Sequence, residues 1–320
     1  MSMKEFRFNP ASWLPNRDVE MLEKVRNIRR EDMEYTNENG FSVKVVLDPT
    51  LHMVMDVFHR IHLSDVNNTP LTMIFPNQWP HAYSAIANML NKYNVSCRNV
   101  NAFAMDEWAD EDGNVAPLTY GAGLGYSFRN HFYARIREDL RPPVEQWHVF
   151  TNENKADNVY SEMIEECGGG GADVVYSGLG WPGHTAFIDP GTKAFHAETL
   201  EEFCKIGSRY LETTPLTICE NSLFPMLGNS GDVWGVPPFA VSIGPRDIMN
   251  ARERFDMHSF VGPDGNSWQR MISRIALYGP ISMECPSSIN RLGKGTAYVS
   301  EAIAKPFGVW TYGMADSEIS

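Results

Sequence analysis

No run of about 18 apolar residues occurs in the 320-residue chain, so no membrane-spanning helix is expected. The first twenty residues, MSMKEFRFNPASWLPNRDVE, lack the short apolar core of a secretory signal. Cysteine is scarce. Cys97, Cys167, Cys204, Cys219 and Cys285 are odd in number, widely spaced and form no C-x-x-C pair. That pattern argues against a zinc site or disulfide framework and for reduced thiols in a cytoplasmic protein. Positive charge is also short: 27 Lys and Arg face 40 Asp and Glu, for a net charge of −13. Such a chain is repelled by phosphate backbones and anionic membranes, so neither nucleic acid nor a membrane is expected as a partner. Internal repeats and long linkers are missing too. With 43% hydrophobic and 21% charged residues, the composition is that of an ordinary folded domain, which excludes disorder, collagen and coiled coil.

What is present is an alternation of short apolar runs and helix-length segments. Residues 42–48 (SVKVVLD), 71–75 (LTMIF), 98–105 (RNVNAFAM), 172–180 (ADVVYSGLG) and 239–244 (FAVSIG) read as strands. Helices are predicted over 51–63, 81–93, 126–136, 154–167 and 266–277. Strands separated by helices imply βαβ units. The expected architecture is therefore a doubly wound α/β domain over residues 41–320, with a mostly parallel sheet and helices on both faces. Residues 1–40 read as an N-terminal extension that packs on the domain or mediates self-association into a homo-oligomer.

Ligands of such sheets bind beyond the carboxyl ends of the strands, so the loops after the apolar runs carry the candidate chemistry. PNQWP (76–80) follows LTMIF; Asn77, Gln78 and Trp79 offer amide hydrogen bonds and a stacking face, or simply form a turn. MDEWADEDG (105–113) brings the adjacent carboxylates Asp106 and Glu107 to the mouth of the sheet. One of them would serve as a base if burial or the neighbouring charge raised its pKa. GLGWPGHTAFIDP (178–190) places Gly178, Gly180 and Gly183 where a backbone can approach a ligand closely. The same loop carries His184, a proton exchanger near neutral pH, and Asp189, which can fix its tautomer. His52, His59 and His62 lack a supporting carboxylate or cysteine pattern, and no metal is expected.

These loops, in this order, resemble the glucosamine-6-phosphate deaminase/isomerase family and its relative 6-phosphogluconolactonase. FAMDEW (103–108) answers the family pattern F-N-M-D-E-Y. GLGWPGHTAFIDP answers G-x-G-x-D-G-H-I-A-F-N-E-P, and VPPFAVSIG (236–244) answers V-P-x-x-A-x-T-x-G. The resemblance spans roughly residues 45 to 290. It implies a Rossmann-like fold and sugar chemistry. Asp106 would shuttle a proton between sugar carbons C1 and C2, and His184, oriented by Asp189, would open the pyranose ring. Proton transfers of this kind need no cofactor, only an acid and a base.

The departures are as specific as the matches. Where the family has the Asp of D-G-H, this chain has Pro182. The family's glycine-rich phosphate loop is replaced by glycine-free PNQWPH, its phosphate-binding Arg after Asn-Ser by Leu223, and its phosphate-binding Lys by Trp268. Loss of both cations and the cradle removes most of the attraction for a phosphate dianion. The expectation is an aldose–ketose isomerase or deaminase acting on an altered sugar, with Glu107, Gly180, Gly183 and the rings of Trp79, Trp181 and Trp268 among its contacts. A non-catalytic sugar-binding homologue and a lactonase-like hydrolase are the alternatives.

Overall fold

Leu71–Phe75 buries all five of its side chains, the signature of a strand covered on both faces by helices. It is the third strand of the protein, whose computed structural model describes residues 8–76, 79–262, 265 and 267–307. The strands are β1 (Tyr35–Thr36), β2 (Phe41–Val46), β3 (Leu71–Phe75), β4 (Val100–Ala104), β5 (Asp106–Ala109), β6 (Trp147–His148), β7 (Val174–Gly178), β8 (Arg209–Glu212), β9 (Phe239–Ser242), β10 (Glu253–His258) and β11 (Gly295–Ser300). Eight of them form one sheet in the order β1-β2-β11-β10-β7-β3-β4-β6. Every pairing is parallel except that of β1 with β2.

This is the doubly wound α/β sheet read from the sequence. Its order reverses between β3 and β7: the chain runs outward through β4 and β6 on one side, then returns to β7 and continues through β10 and β11 on the other. The loops after β3, β4, β7 and β10 therefore open at one edge of the sheet, around a topological switch point.

Two expectations are corrected here. FAVSIG is a strand, but β9 lies outside the main sheet, in a three-stranded antiparallel sheet ordered β5-β9-β8. Asp106 and Glu107 are not in a loop. The chain leaves β4 at Ala104, turns at Met105 and enters the small sheet at once, with Asp106 opposite Ser242 and Glu107 opposite Val241. A pleated strand sends successive side chains to opposite faces, so these adjacent acids part company. Strand β10, ERFDMH, escapes an apolar-run search because Glu253, Arg254 and Asp256 interrupt it. Its charges are matched inside the fold: Asp256 accepts from Ser177 at 2.9 Å and pairs with His258 at 3.1 Å.

The N-terminal segment is docked. Its helix Val19–Arg26 contributes buried Val25, Tyr35 donates to the carbonyl of Leu277 at 2.8 Å, and Asn16 donates to that of Glu284 at 2.7 Å. Strand β1 lies within it, so the sheet begins before residue 41. No helix among the described residues is long and apolar enough to cross a membrane.

Arg274 ties the segment after helix Val19–Arg26 to the last described helix. Fully buried, it donates to the carbonyls of Ile303, Ala304 and Lys305 at 3.0, 3.0 and 3.1 Å, and to that of Ile28 at 3.4 Å. The guanidinium thus caps the last turn of helix Glu301–Ala304, where a cation also meets the negative end of the helix dipole. Arg274→Ala is expected to lower the unfolding free energy by about 2–4 kcal/mol, because several buried carbonyls lose their donor together. Arg274→Lys, with three donors on one nitrogen, is expected to recover part of that loss. Chemical denaturation of the three proteins measures both.

Candidate active site

The loop after β7 is built around one imidazole. A Cβ added to Gly180 would lie 1.8 Å from His184 Nε2, so the ring occupies the space that glycine leaves open. Gly183 has φ of +90°, which L side chains rarely adopt, and its N–H closes the turn onto the Gly180 carbonyl at 3.0 Å. The side that a Gly183 side chain would take is filled by Cys285 and Ile272. The space where side chains would stand at these glycines is taken by other protein side chains. The same holds at Gly178, with the Trp79 ring lying against it.

His184 is locked from one side by Asp189. Asp189 Oδ1 pairs with His184 Nδ1, and Oδ2 accepts from the hydroxyls of Thr214 and Thr217, each at 2.6 Å. Thr214 is the N-cap of helix Pro215–Asn221, so the residue that starts this helix also fixes the acid behind the histidine. One turn after Thr217, the same helix presents Glu220 to the other ring nitrogen, with Oε2 3.8 Å from His184 Nε2. Glu220 is buried and accepts the N–H of Trp181 at 2.8 Å. Sequence reading did not single out Thr214, Thr217 or Glu220. The one available signal was their three-residue spacing on a short helix beginning Thr-Pro.

A cavity of about 380 Å³ opens at the switch point. This lies within the range of small-molecule sites. His184, Asp106 and Glu220 line it, with Gly180, Asn221, His81 and Gln269. Its aromatic wall comprises Trp79, Phe187, Phe224, Phe260 and Trp268, with Phe260 and Trp268 centred 4.8 Å apart. Gln269 ties that wall to the β7 loop, accepting the Phe260 N–H at 2.8 Å and donating to the Leu179 carbonyl at 2.5 Å. Buried Trp108 packs behind Phe187 at 4.8 Å.

Of the residues singled out from sequence, Asp106, His184, Trp79, Gly180 and Trp268 meet on this cavity, and Asp189 stands behind His184. Three of the expected substrate contacts do not line it. Glu107 faces away; its carboxylate accepts the N–H groups of Trp108, Leu124 and Gly125 at 2.8, 2.9 and 2.6 Å and so caps helix Leu124–His131. Gly183 is covered as described, and Trp181 is 42% exposed beside Trp268, outside the cavity wall. Asn77 and Gln78 lie outside the described residues. Leu223 is 46% exposed and does not line the cavity. No Lys or Arg is among the described lining residues. No group of three His, Cys, Asp or Glu side chains suited to a metal ion occurs among the described residues.

Electrostatics follow from this geometry. Burial opposes charge on His184, but Asp189, Glu220 and Asp106 outweigh it and raise the imidazole pKa to about 9. Burial raises Glu220 to about 7, against the pull of His184 and the Trp181 N–H. Asp189 is lowered: burial is overcome by His184 and the two threonines. At neutral pH the resting pair is imidazolium and carboxylate. A histidine raised in the folded state stabilises fully below its unfolded value near 6.5, and that contribution disappears as pH rises through about 9. Nitrogen-15 NMR of the imidazoles should show His184 titrating near 9 in the wild type. In Asp189→Asn it should titrate well below that, because burial then meets less opposition. An unchanged midpoint would contradict the assignment.

No protein-family model matches the sequence. Curated relatives are named glucosamine-6-phosphate deaminase. That of Fusobacterium nucleatum is 30% identical over 159 residues, covering 50% of this chain and 50% of its own length. That of Phocaeicola vulgatus is 27% identical over 237 residues, covering 72% and 78%. The match to the Bacteroides fragilis enzyme spans only 56% of that protein. Among solved structures, a monomeric glucosamine-6-phosphate deaminase superposes with a TM-score of 0.62 at 16% identity, over 82% of this chain and 98% of that one. The 6-phosphogluconolactonase of Trypanosoma cruzi gives 0.56 at 17%, over 85% and 97%. By sequence the chain resembles glucosamine-6-phosphate deaminases, and it has the α/β fold that they share with 6-phosphogluconolactonases.

Proposed function

We propose that this protein is a sugar aldose–ketose isomerase or deaminase that acts on an amino sugar or related sugar without relying on a phosphate group. The observation that carries the reading is the placement of Asp106 and His184 on one cavity, with Asp189 paired to His184 behind it. In this reading His184, as imidazolium, protonates the ring oxygen of the cyclic sugar. Asp189 holds the imidazole in position and keeps it charged. Once the chain is open, Asp106 moves a proton between C2 and C1 through an enediol-type intermediate. The names of the curated relatives support the reaction class.

The altered substrate rests on the lining. A phosphate dianion is bound by paired cations and cradling N–H groups. The described lining offers no Lys or Arg, two carboxylates and a wall of aromatic rings. Rings of this kind stack on the apolar face of a sugar, and carboxylates accept hydrogen bonds from hydroxyl or ammonium groups.

Two measurements test the proposal. Ligand-induced thermal shifts should be larger for glucosamine and unphosphorylated aldoses and ketoses than for glucosamine 6-phosphate. A shift given by the phosphate ester alone would overturn the altered substrate. Asp106→Asn should fold normally but lower turnover of the stabilising sugar by about 10²–10⁴-fold, the usual worth of a positioned acid or base. Undiminished turnover would remove Asp106 from the mechanism.

A further inference from the structure

Opening a cyclic sugar takes two proton movements. The ring oxygen must gain a proton as its bond to C1 breaks, and the hydroxyl on the same carbon must lose one as C1=O forms. His184 can supply the first but, already protonated, cannot accept the second. Asp189 cannot accept it either: one oxygen is held by His184, the other by Thr214 and Thr217, and it does not line the cavity. Pro182, standing where the family resemblance places a carboxylate, offers no acceptor.

We propose that Glu220 is the second catalytic residue of ring opening, the base that accepts the anomeric proton while His184 acts as the acid. This rests on the isomerase reading above and adds to it a residue contributed by a separate element. Glu220 Oε2 stands 3.8 Å from His184 Nε2, and both side chains line the cavity. The two oxygens of a hemiacetal sit on one carbon, so a donor and an acceptor that far apart can each hold one of them. Oε2 is steadied by the Trp181 N–H, and Oε1 has no hydrogen-bond partner among the described residues. Helix Pro215–Asn221 sets the spacing, because Thr217 fixes the Nδ1 side of His184 through Asp189 and Glu220, one turn on, faces the Nε2 side.

The step balances. The Nε2–H proton passes to the ring oxygen, and the C1–O ring bond breaks with its electron pair retained by that oxygen. The O1–H electrons form the carbonyl, and the O1 proton passes to Glu220. Transfer from protonated Glu220 back to His184 restores the starting state, with no oxidant, reductant or net charge consumed.

Anomerisation measures ring opening without the later chemistry. α-D-Glucosamine and α-D-glucose are followed by polarimetry toward anomeric equilibrium with wild type, Glu220→Gln and Glu220→Asp, each also checked for its melting temperature and its ligand-induced shift. Wild type is expected to accelerate equilibration. Glu220→Gln, which keeps an acceptor for the Trp181 N–H, should lose that acceleration at least about tenfold while retaining the ligand-induced shift. Glu220→Asp should keep part of the acceleration and serves as the decisive variant if Gln impairs folding. Wild-type rates in both variants would overturn the role of Glu220 alone. Loss of the ligand-induced shift together with anomerisation would make Glu220 a binding residue instead. If wild type accelerates neither sugar, the isomerase reading itself falls, and this inference with it.

Discussion

A buried histidine keeps its proton only where carboxylates are held against it, because desolvation alone would strip the charge. That requirement organises the site. Asp189 must sit at Nδ1, and it is held there by two threonine hydroxyls from the start of helix Pro215–Asn221. The helix must then lie across the loop after β7, which brings Glu220 to the opposite nitrogen. Gly180 must lack a side chain, since the ring fills its place. The β7 loop and the short helix thus meet at one ion pair, and Gln269 ties the aromatic wall to the same loop. Asp106 arrives independently, from the point where the chain passes out of the main sheet into the small one.

The charge balance of the cavity also bears on what it can take. Its ionisable lining is Asp106, Glu220, His184 and His81, with no Lys or Arg among the described residues. A dianionic phosphate entering this space would meet two carboxylates and a single imidazolium already compensated by Asp189. A neutral polyol or an ammonium-bearing sugar would instead find acceptors and stacking faces. His184, Asp189 and Glu220 are all buried, and charges interact more strongly where solvent is excluded.

Much of this was legible in the sequence, for identifiable reasons. β3 is buried throughout and β7 nearly so, and both read as short, mostly apolar runs. β10 was not visible, because its charged residues are satisfied by partners distant in sequence, Ser177 and Arg60 among them. The His184 loop stands out because glycine, histidine and an acid cluster after a strand; that the space beside its glycines is taken by Trp79, His184, Cys285 and Ile272 shows only in the fold. Glu107 looked like a partner of Asp106 because it is adjacent. The pleat turns it to the far face, where it caps a helix. Trp181 and Trp268 looked equivalent in composition; only their positions on the folded chain put one on the cavity and the other outside it. Glu220 carried no motif, since its role arises from a helix that meets the β7 loop only in three dimensions.

The most direct test of the central claim is hydrogen exchange at C2. The sugar giving the largest ligand-induced thermal shift is incubated with the protein in deuterium oxide, and proton NMR follows the C2 hydrogen of the recovered sugar. An acid–base pair that opens the ring, working beside an enolising carboxylate, predicts that this signal fades as deuterium enters from solvent, and that it persists when Asp106 is replaced by asparagine. A C2 hydrogen retained through prolonged incubation with wild type, while the sugar is demonstrably bound, would contradict the account and leave a pocket that binds sugars without transforming them.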